Sequence, residues 1–523
     1  MGRVRGTPLG KATAMKALIS VYDKTGVVGL ARALDKAGYG LVSTGGTHEL
    51  LSKEGLSVMQ VSELTGSPEM LDGRVKTLHP VVHGGVLARR DLPEHMAQLT
   101  EHGMDTIDVV VVNLYPFEAT VSRDGVPDQE ILENIDIGGP TMLRAAAKNH
   151  PAVTVVVDPA DYEWVAESFA KGGTSADERR KLAATAFAHV SFYDSIVAAW
   201  MRGPEDPFPK EMTVGVRRVA QLRYGENPHQ QAALYANAPG TGGVVGAEQL
   251  HGKELSYNNI LDADAAWRSA NEFTEQAVSI IKHTNSCGLA CDDDQAEAFR
   301  KALAGDPVSA YGGIVGFNRP VTAEAVEALR KIFFEVIIAP GYEPAALEAL
   351  QKKRDLRILL VPPTPGGTNL GTPLAVRRVS GGLLYQGPDV LEEDPASWNV
   401  VTERAPTKDE MADLVFAWKA AKHIKSNTIV LAKDRALIGM GAGQPNRITS
   451  VHLSSRAAGE RAAGTVLASD AFFPFADGVE LAAESGITAV VQPGGSIRDD
   501  EVIAAANKAG IAMVCTGVRH FLH

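Results

Sequence analysis

The heptapeptide Ala-Val-Ser-Ile-Ile-Lys-His (Ala277–His283) decides how the C-terminal part of the chain is interpreted. An apolar run suited to a buried strand stops at a cation and a general base, and Thr284–Gly288 follows as a predicted loop. Catalytic groups in open α/β sheets gather beyond the carboxyl ends of strands, and histidine titrates near neutral pH. The heptapeptide therefore indicates an α/β fold with a candidate reactive strand end. Taken alone, Lys282 and His283 are more often a surface lysine and a capping histidine than catalytic groups.

Short apolar runs alternate with helical periods on both sides of this heptapeptide, which is the pattern of an α/β protein. In the N-terminal part the predicted strands are Ala17–Ser20, Gly40–Ser43, Val109–Val112 and Val153–Val157. In the C-terminal part they are Val278–Ile281, Ile358–Val361, Ile429–Ala432, Ala489–Gln492 and Ala512–Cys515. A similar order of motifs around residues 280 and 430 is a weak indication of a duplicated unit.

Two proline-rich segments predict the domain limits. Met201–Pro209 combines proline with charge and breaks both periods, so we expect a domain boundary there. Pro362–Pro373 favours neither helix nor strand, and we expect it to connect two lobes. The expected organisation is a loose tail at residues 1–15, a first domain at 16–205, and a second domain at 206–523 that splits near 362–373. The true start residue is either Met1 or Met15.

The composition excludes several classes of protein. A formal charge of −12 over 523 residues argues against a broad nucleic-acid surface. The three cysteines, Cys287, Cys291 and Cys515, provide neither a disulfide framework nor a second ligand pair for zinc. No run of about 18 apolar residues predicts a membrane span. We therefore expect a cytoplasmic enzyme that acts on small molecules, without nucleic acid or membrane as a partner.

Several loops of the N-terminal part are suited to an anionic ligand. Ser43–Thr47 and Ser20–Gly26 each follow a strand and precede a helix, so glycine lets backbone N–H groups approach a phosphate. Neither loop has the spacing of a nucleotide-triphosphate or dinucleotide motif, and each is about as often a plain turn. Gly73–Pro80 is a stronger signal because it contains two cations, a hydroxyl and a histidine, although a solvated charged loop remains the alternative.

Ile135–Thr141 is predicted to lead into a helix that ends near Lys148, with Pro140 at the first helical position. At 1.5 Å per residue, Asp136 and Lys148 would lie roughly 15 to 20 Å apart, which argues against a simple ion pair. Tyr115 follows the most apolar strand of this part, and it is either a site residue or an interfacial core tyrosine.

Polar clusters are denser in the C-terminal part. They lie at Leu222–Gln230, Lys282–His283, Ser309–Gly313, Lys425–Thr428, Gly441–Arg447, Ser469–Phe475 and Arg519–His523. The three phenylalanines around Pro474 form either an apolar plug or a wall for a flat heteroaromatic ligand. The His-x-Glu and Pro-Cys-x-x-Cys patterns of zinc deaminases do not occur. The arginine, asparagine, histidine, lysine and aromatic residues of these clusters suit an anionic nucleotide and acyl-type transfer. In such a transfer a base deprotonates an amine and fixed donors hold an oxyanion.

Six ordered motifs together carry a resemblance to a known family. They are Ser-Val-Tyr-Asp-Lys-Thr-Gly, Gly-Arg-Val-Lys-Thr-Leu-His-Pro, Asp-Ile-Gly-Gly, Ala-Ala-Ala-Lys-Asn-His, Leu-Arg-Tyr-Gly-Glu-Asn-Pro-His-Gln and Ser-Asp-Ala-Phe-Phe-Pro-Phe. From about Lys16 to His523 the chain resembles the bifunctional purine-biosynthesis family that joins phosphoribosylaminoimidazolecarboxamide (AICAR) formyltransferase to inosine monophosphate (IMP) cyclohydrolase. The resemblance implies a methylglyoxal-synthase-like N-terminal domain and two C-terminal cytidine-deaminase-like α/β lobes without the deaminase zinc.

The resemblance also implies the reactions and the partners. The 5-amino group of AICAR would take a formyl group from 10-formyltetrahydrofolate, and the carboxamide nitrogen would then close the ring with loss of water to give IMP. No metal would be needed for catalysis, although a structural potassium ion is compatible with the family. A homodimer with the transfer site at the subunit interface is implied as well.

The family's functional residues transfer onto this sequence by motif. In formyl transfer His283 would be the base, Lys282 would stabilise charge or serve the leaving folate nitrogen, and Asn427 would orient the carboxamide or the oxyanion. The implied nucleotide and folate contacts are Arg223, Tyr224, Tyr311, Gly312, Glu335, Arg447, Phe472, Phe475, Asp477, Ser496, Arg519 and His523. The implied catalytic set of the cyclohydrolase is Lys76, Tyr115, Asp136 and Lys148. Its implied nucleotide contacts are Ser20, Lys24, Ser43, Thr44, Gly45, Gly46, Thr47, Arg74, Thr77 and Asn113.

Some positions depart from the family pattern. Tyr311 stands where the family often has phenylalanine, Ser286 replaces a frequent proline, and Gly478 stands where an asparagine can occur. Thr449–Ala468 is short, and we interpret it as a loop deletion. Two alternative functions stay open at this point: a formyltransferase with a degenerate N-terminal domain, and an enzyme whose N-terminal domain only senses a nucleotide.

Overall fold

The computed structural model describes residues 15–71, 74–238, 240, 242–362 and 374–523. The chain divides into two compact units, of which the first continues to Val216 and the second contains most of the remaining residues. The predicted domain boundary at residue 205 falls between the last helix of the first unit, which ends at Arg202, and a strand that begins at Val216. Nearly all of the predicted tail and of the predicted lobe connector, and Gly73, lie outside the described residues.

The first unit is a parallel sheet with helices between its strands. The strands are β1 (Lys16–Ser20), β2 (Gly40–Ser43), β3 (Val58–Gln60), β4 (Val109–Val112) and β5 (Thr154–Val156). The helices are α1 (Val27–Lys36), α2 (Gly45–Lys53), α3 (Val61–Thr65), α4 (Pro80–Leu87), α5 (Pro93–Glu101), α6 (Phe117–Val121), α7 (Asp128–Glu133), α8 (Gly138–Lys148), α9 (Tyr162–Ala170) and α10 (Ala176–Arg202). The strand order is β3-β2-β1-β4-β5, and every pair is parallel.

The predicted strands of this unit are confirmed, and two details differ. Strand β3 was not predicted because Met59 and Gln60 are exposed, so it lacks an apolar run. Helix α8 begins at Gly138, so Pro140 is its third residue rather than its first. Proline is still tolerated there because the first turn of a helix leaves its N–H groups without intrahelical partners.

Helix α10 is long and apolar enough to cross a membrane by length and composition alone. Its first turn contains Asp177 and Glu178, and Ser175 caps it in a reciprocal capping box. Residues along one face, including Ala186 and Val190, are buried in the core of the unit. These features identify α10 as a core helix.

The second unit is built on a mixed sheet. Its strands are β6 (Val216–Leu222), β7 (Ala232–Asn237), β8 (Glu248–His251), β9 (Ala277–Lys282), β10 (Asn285–Cys291), β11 (Gly313–Phe317), β12 (Phe334–Ala339), β13 (Arg357–Leu360), β14 (Ala375–Val379), β15 (Gly382–Gln386), β16 (Asn399–Val400), β17 (Ile429–Lys433), β18 (Ala436–Gly441), β19 (Val466–Ser469), β20 (Ala489–Gln492) and β21 (Ala512–Cys515). Its helices are α11 (Tyr257–Asn271), α12 (Gln295–Gly305), α13 (Ala323–Leu329), α14 (Pro344–Gln351), α15 (Lys408–Ala421), α16 (Arg447–Ala458), α17 (Asp477–Glu484) and α18 (Asp499–Ala509).

The main sheet of this unit is a duplication. Its order is β16-β21-β20-β19-β17-β18-β10-β9-β11-β12-β13-β8, and the two halves meet where β10 pairs with β18. Each half contains the same succession: an edge strand, a helix, an antiparallel hairpin, and then three helix-strand steps in parallel order. The weak sequence indication of a repeat near residues 280 and 430 is therefore confirmed, and these positions are the two hairpins, β9–β10 and β17–β18.

Two expectations about individual segments need correction or refinement. The predicted loop Thr284–Gly288 is wrong, because Asn285 already begins β10 and the turn consists of His283 and Thr284 alone. Ser286 and Gly288 have small side chains that are common in loops, so the sequence did not reveal that this segment is a buried strand. Thr449–Ala468, interpreted as a shortened loop, contains most of α16 and the first part of β19.

One edge of the duplicated sheet collects most of the predicted transfer-site segments. Strands β9, β18, β19, β20 and β21 end at this edge, whereas β11, β12 and β17 begin there. The direction of each strand follows from its register with its neighbour. The segments after Lys282, Gly441, Ser469, Gln492 and Cys515 therefore share this edge with those before Gly313, Phe334 and Ile429.

Candidate functional site

A cavity of about 670 Å³ opens in the first unit beyond the carboxyl ends of β1, β2 and β4. In a parallel sheet this edge is where ligands bind, at the point where the strand order reverses between β1 and β4. The lining residues are Ser20, Val21, Tyr22, Lys24, Thr44, Gly45, Gly46, Thr47, Arg74, Lys76, Thr77, Val112, Asn113, Tyr115, Leu132, Glu133, Ile135, Asp136, Ile137, Gly138, Gly139, Met142 and Met201.

One end of the cavity is built for an anion. Helix α2 begins at Gly45, whose φ of +40° is accessible to glycine. A Cβ atom on Gly45 would lie 3.5 Å from the Lys76 Nζ, and one on Gly46 would lie 3.9 Å from the Lys24 Nζ. Two ammonium groups thus flank a helix N-terminus with bare backbone, the combination that binds phosphate. Lys76 lies 3.3 Å from the carboxylate of Glu69, which an anionic ligand would have to displace or share.

Two of the predicted nucleotide contacts also hold the loops of the cavity in place. The Asn113 side-chain oxygen accepts hydrogen bonds from the N–H groups of Tyr22 and Asp23 at 2.6 and 2.9 Å, and its amide donates to the Asp23 carbonyl. The Thr47 hydroxyl accepts from the Val21 N–H and donates to the Val21 carbonyl. Both side chains therefore fix the loop after β1, which brings Lys24 to the cavity.

Asp136 is a partly buried carboxyl group that lines the same cavity. Burial raises its pKa, against the opposing effect of the N–H groups of Gly139, Tyr115 and Gly138. Its Oδ1 accepts from the Gly139 N–H at 2.8 Å, and its own N–H donates to the Tyr193 hydroxyl. A carboxyl group with a raised pKa in a cavity is suited to exchange a proton with a ligand.

Two exposed aromatic rings line the cavity. Tyr115 is 46% exposed, and its ring meets that of Tyr22 edge to face with centroids 6.1 Å apart. Tyr115 is therefore an accessible phenol and not a core tyrosine, which removes the alternative raised from its sequence position. Tyr22 was not singled out by the sequence, although it lies within the motif that supplied Ser20 and Lys24.

The structure brings together all but two of the residues predicted for this site. Ser43 is fully buried and its hydroxyl donates to the Ile19 carbonyl, so it does not reach the cavity. Lys148 lies at the C-terminal end of α8, whereas Asp136 precedes the N-terminal end. Lys148 lines a separate groove with Leu87, Arg144, Ala145, Ala147, His150 and Phe187.

Sequence reasoning missed the apolar part of the cavity. Leu132 comes from α7, Ile135 and Ile137 come from the connection between α7 and α8, and Met142 and Met201 come from α8 and α10. Gly138 and Gly139 were quoted in a motif, but only the close approach of Gly139 to Asp136 reveals why glycine stands there.

In the second unit, Lys282 is held at the end of β9. Its ammonium donates to the carbonyl groups of Tyr311 and Gly312 at 3.2 and 3.0 Å. An ammonium has three N–H donors, so this arrangement leaves one for a ligand. Tyr311, where the family often has phenylalanine, is 65% exposed and tilts against Phe333.

His283 and Thr284 form the two-residue turn between β9 and β10. Their φ angles are +52° and +59°, and the His283 side chain is exposed. The turn thus presents the imidazole to solvent beside Lys282. Ser286, the other departure in this segment, is buried within β10, so it does not line the exposed edge.

A buried network orients Asn427 at the start of β17. Arg447 donates through Nη2 to the Asn427 side-chain oxygen and through Nη1 to Asp470, each at 2.5 Å. The Asn427 amide nitrogen donates to the Gln444 carbonyl at 2.8 Å. Arg447 is only 6% exposed, so it acts here as a support for Asn427.

The phenylalanine cluster divides between wall and core. Phe472 and Phe475 are 38% and 49% exposed, whereas Phe473 is buried and packs in the core. The Arg498 guanidinium lies 4.8 Å from the Phe475 ring centroid. A Cβ atom on Gly478 would lie 2.7 Å from the Phe473 ring, which explains why a larger residue does not fit at this position.

Most of the remaining predicted contacts lie at the same edge or near it. Asp477 begins α17, Ser496 follows β20, Glu335 lies near the start of β12, and Arg519 and His523 follow β21. Glu335 accepts from the Asn259 amide at 2.8 Å. Arg223 and Tyr224 follow β6, outside the main sheet, with the guanidinium 5.4 Å from the tyrosine ring centroid.

The transfer-site residues share an edge, but they are spread along it. His283 follows β9 and Asn427 precedes β17, and three strand intervals separate these strands. At about 4.8 Å per interval, the two strand ends are roughly 14 Å apart. Among the described residues, no three histidine, cysteine or acidic side chains come together as a metal site.

Comparisons with known proteins identify the family. The AICARFT/IMPCHase bienzyme family matches residues 146–457, and the MGS-like domain matches residues 26–141. The bifunctional purine biosynthesis protein purH of Dictyostelium discoideum is 48% identical, with 97% of this chain and 100% of the relative covered. The PurH proteins of Mycobacterium marinum (51% identical, 97% and 98% covered) and Thermoanaerobacter sp. (50% identical, 98% and 100% covered) are similarly close. With relatives this similar over nearly their whole length, the chain belongs to the PurH family of bifunctional purine biosynthesis proteins.

Proposed function

We propose that the two reactions of the family are divided between the two units, with ring closure in the first and formyl transfer in the second. The enzyme formylates AICAR and cyclises the product to IMP, as a member of this family. The observation that supports the division best is the cavity of the first unit, which combines an anion-binding end with a buried carboxyl group. A cavity of this composition also favours catalysis over the degenerate or purely sensing alternatives.

In ring closure, the phosphate of formyl-AICAR would bind at the N-terminus of α2, between Lys24 and Lys76. In this pose the imidazole ring and the formyl group of the substrate would face Tyr115 and Asp136. The carboxamide nitrogen attacks the formyl carbon and loses one proton. The formamide nitrogen loses a second proton as its double bond to that carbon forms, and the former formyl oxygen takes up two protons and leaves as water. Asp136 and Tyr115 are the groups we assign to these proton movements, and Lys76 is assigned with Lys24 to the phosphate. Lys148 was expected to take part, but its position at the far end of α8 supports no direct step within one chain.

In formyl transfer, the 5-amino nitrogen of AICAR would attack the formyl carbon of the folate, and His283 would take the proton that this nitrogen loses. The free N–H of the Asn427 amide would donate to the oxygen of the tetrahedral intermediate. Lys282 would stabilise the folate nitrogen as it leaves. Phe472 and Phe475 would contact the pterin or the base, because they are exposed aromatic rings on the same sheet edge. The intermediate carries more negative charge on oxygen than the substrates, so these donors lower the barrier.

We further propose a homodimer with the transfer site at the subunit interface. A separation of roughly 14 Å between the strand ends that carry His283 and Asn427 is wide for one reacting centre. The β6–β7 and β14–β15 hairpins form two-stranded sheets that expose Val219, Tyr235, Val376, Leu383 and Leu384. Isolated hairpins are marginally stable in water, so a second copy would cover them.

Other features of the family remain part of this proposal. The repeated strand order supports two cytidine-deaminase-like lobes, and the free thiols of Cys287, Cys291 and Cys515 support a reducing, cytoplasmic location. A structural potassium ion is compatible with the proposal, but no step described above depends on a metal.

The division of labour is tested with full-length single-site variants. His283→Ala should abolish formyl transfer and leave the cyclisation of supplied formyl-AICAR intact, whereas Lys76→Ala should do the reverse. Each reaction is followed separately, by release of tetrahydrofolate and by formation of IMP. Equal loss of both reactions in either variant would contradict separate sites.

A further inference from the structure

The two halves of the duplicated sheet contain the same hairpin turn. His283 and Thr284 join β9 to β10, and Asp434 and Arg435 join β17 to β18. All four residues have positive φ, between +52° and +59°. This is the conformation of the tightest hairpin turns, where asparagine and glycine are usual. None of the four is either residue, and threonine is among the residues least suited to it because its β-carbon is branched.

An aspartate on the preceding helix holds each turn. The Asp262 carboxylate of α11 accepts from the His283 N–H at 3.2 Å and from the Thr284 N–H at 2.7 Å. In the other half, Asp413 of α15 accepts from the Asp434 N–H at 3.0 Å and from the Arg435 N–H at 2.7 Å. Both aspartates occupy the sixth position after the helix cap, Ser256 in one half and Thr407 in the other.

This recurring arrangement has a physical reason. A two-residue turn with both residues in the left-handed region points two adjacent N–H groups to one side, and each needs an acceptor. A carboxylate offers two oxygens and a negative charge, so it forms two charge-assisted hydrogen bonds at once. An asparagine would present one oxygen and one NH2 group, and the NH2 group would oppose one of the turn's donors.

The two turns differ in what they present. The turn held by Asp413 consists of Asp434 and Arg435, and neither residue belongs to the proposed transfer site. This turn lies at the opposite edge of the sheet. The turn held by Asp262 carries His283 and follows Lys282. The holding aspartate is therefore part of the fold in both halves, but only one copy controls a group that reacts.

We propose that Asp262 is a positioning residue for formyl transfer, because its carboxylate fixes the turn conformation in which His283 is presented. This inference rests on the proposed role of His283 as the base. The exposed imidazole has no hydrogen-bond partner among the described residues that would orient it otherwise. Its direction is consequently set by the backbone of the turn. A misplacement of about 1 Å at a reacting group can lower a rate by about 100-fold.

The test compares Asp262→Asn with Asp413→Asn in the full-length protein. Asp262→Asn should lower the kcat of formyl transfer by about 100-fold and leave the KM for AICAR and the cyclisation rate unchanged. Asp413→Asn makes the same change at the matching turn, and it should keep the kcat of transfer within about twofold. Asp262→Glu, which retains both acceptors on a longer side chain, should lie between Asp262→Asn and wild type.

The outcomes separate this inference from the proposed function. If both asparagine variants lower transfer equally, or if Asp262→Asn leaves kcat unchanged, Asp262 has only a structural role and the inference is overturned. If His283→Ala keeps its transfer activity, the assignment of the base fails and the inference fails with it. Cyclisation reports on the first unit only, so the folding of the second unit is judged from the residual transfer: an unchanged KM for AICAR in Asp262→Asn shows that the loss of kcat is not due to unfolding.

Discussion

Arg447 fixes which end of the Asn427 amide faces the sheet edge. Its guanidinium occupies the amide oxygen at 2.5 Å, and the Gln444 carbonyl occupies one of the two N–H donors. The group left for a ligand is therefore a donor. The resemblance left two roles open for this residue, and the orientation favours the one in which Asn427 donates to the developing oxyanion.

Asn427→Asp should lower the kcat of formyl transfer by about 100-fold to 1000-fold. The carboxylate can still accept from Arg447, but it loses the free donor and opposes the negative charge of the intermediate. Cyclisation should be unchanged. Asn507→Asp is the matched control, since the Asn507 side chain also serves as an acceptor, for the Glu403 N–H, far from the transfer site. Transfer retained by Asn427→Asp at neutral pH would exclude the donor role.

The C-terminal segment is held by a histidine between two carboxylates. Burial disfavours the charged form of His520, but hydrogen bonds to Glu393 and Asp389 outweigh it, so the pKa of His520 is raised. Two residues further on, Leu522 exchanges hydrogen bonds with Ser426, the neighbour of Asn427. The charge of His520 thus supports the order of the transfer site.

This anchoring should weaken as the pH rises. Because the pKa is higher in the folded state than in the unfolded state, the stabilisation is fully present below the ordinary histidine range and is lost as the pH passes through the raised pKa. We expect hydrogen exchange at the Leu522 amide to show protection falling over this window, beyond the intrinsic pH dependence. His520→Gln should remove the pH dependence, and an unchanged profile in that variant would contradict the assignment to His520.

Gly139 leaves room for the Asp136 carboxylate. A Cβ atom at this position would lie 2.5 Å from Asp136 Oδ2 and 2.6 Å from the Leu114 side chain. Gly139→Ala should therefore displace the carboxylate, reduce cyclisation strongly and destabilise the protein by about 1 to 3 kcal/mol. Gly29→Ala is the control, because Gly29 lies inside α1 with nothing within 4 Å, and alanine there should stabilise the helix. Wild-type cyclisation by Gly139→Ala would show that the position of Asp136 does not matter.

The sequence predicted most strands with continuous apolar side chains, although it missed β12, and it failed where small or polar residues formed the strand. Val109–Val112 and Ala512–Cys515 were predicted with their observed limits, whereas β10 was mistaken for a loop. Asn285, Ser286 and Gly288 have weak strand preferences, and pairing with β9 decides their conformation. Local preference could not reveal this pairing, because β9 forms it only once the turn is closed.

The candidate sites show the same division. Motifs located Lys24, Lys76 and Asp136 at strand or helix ends, and the parallel order of the sheet explains why they meet. Lys148 belongs to the same motif set but lies a full helix away from Asp136, a distance that the helical rise had already indicated. Asp262 carried no signal in the sequence, because its role depends on the turn that it holds and on the matching position of Asp413.

Asp136→Asn should stabilise the protein while removing cyclisation. Burial raises the pKa of Asp136, so ionisation costs folding stability, and this cost appears as the pH rises through the raised pKa. A neutral amide has no such cost and can still accept from the Gly139 N–H. The melting temperature of the variant should therefore match wild type below the ordinary aspartate range, exceed it as the pH rises through the raised pKa, and stay above it at higher pH, while cyclisation falls by about 100-fold to 10000-fold. The control is Asp161→Asn, which changes an aspartate in the short 3-10 turn before α9 of the same unit. A variant less stable than wild type at pH 8 would indicate that the hydrogen bonds to the carboxylate outweigh its burial, and that the pKa of Asp136 is not raised.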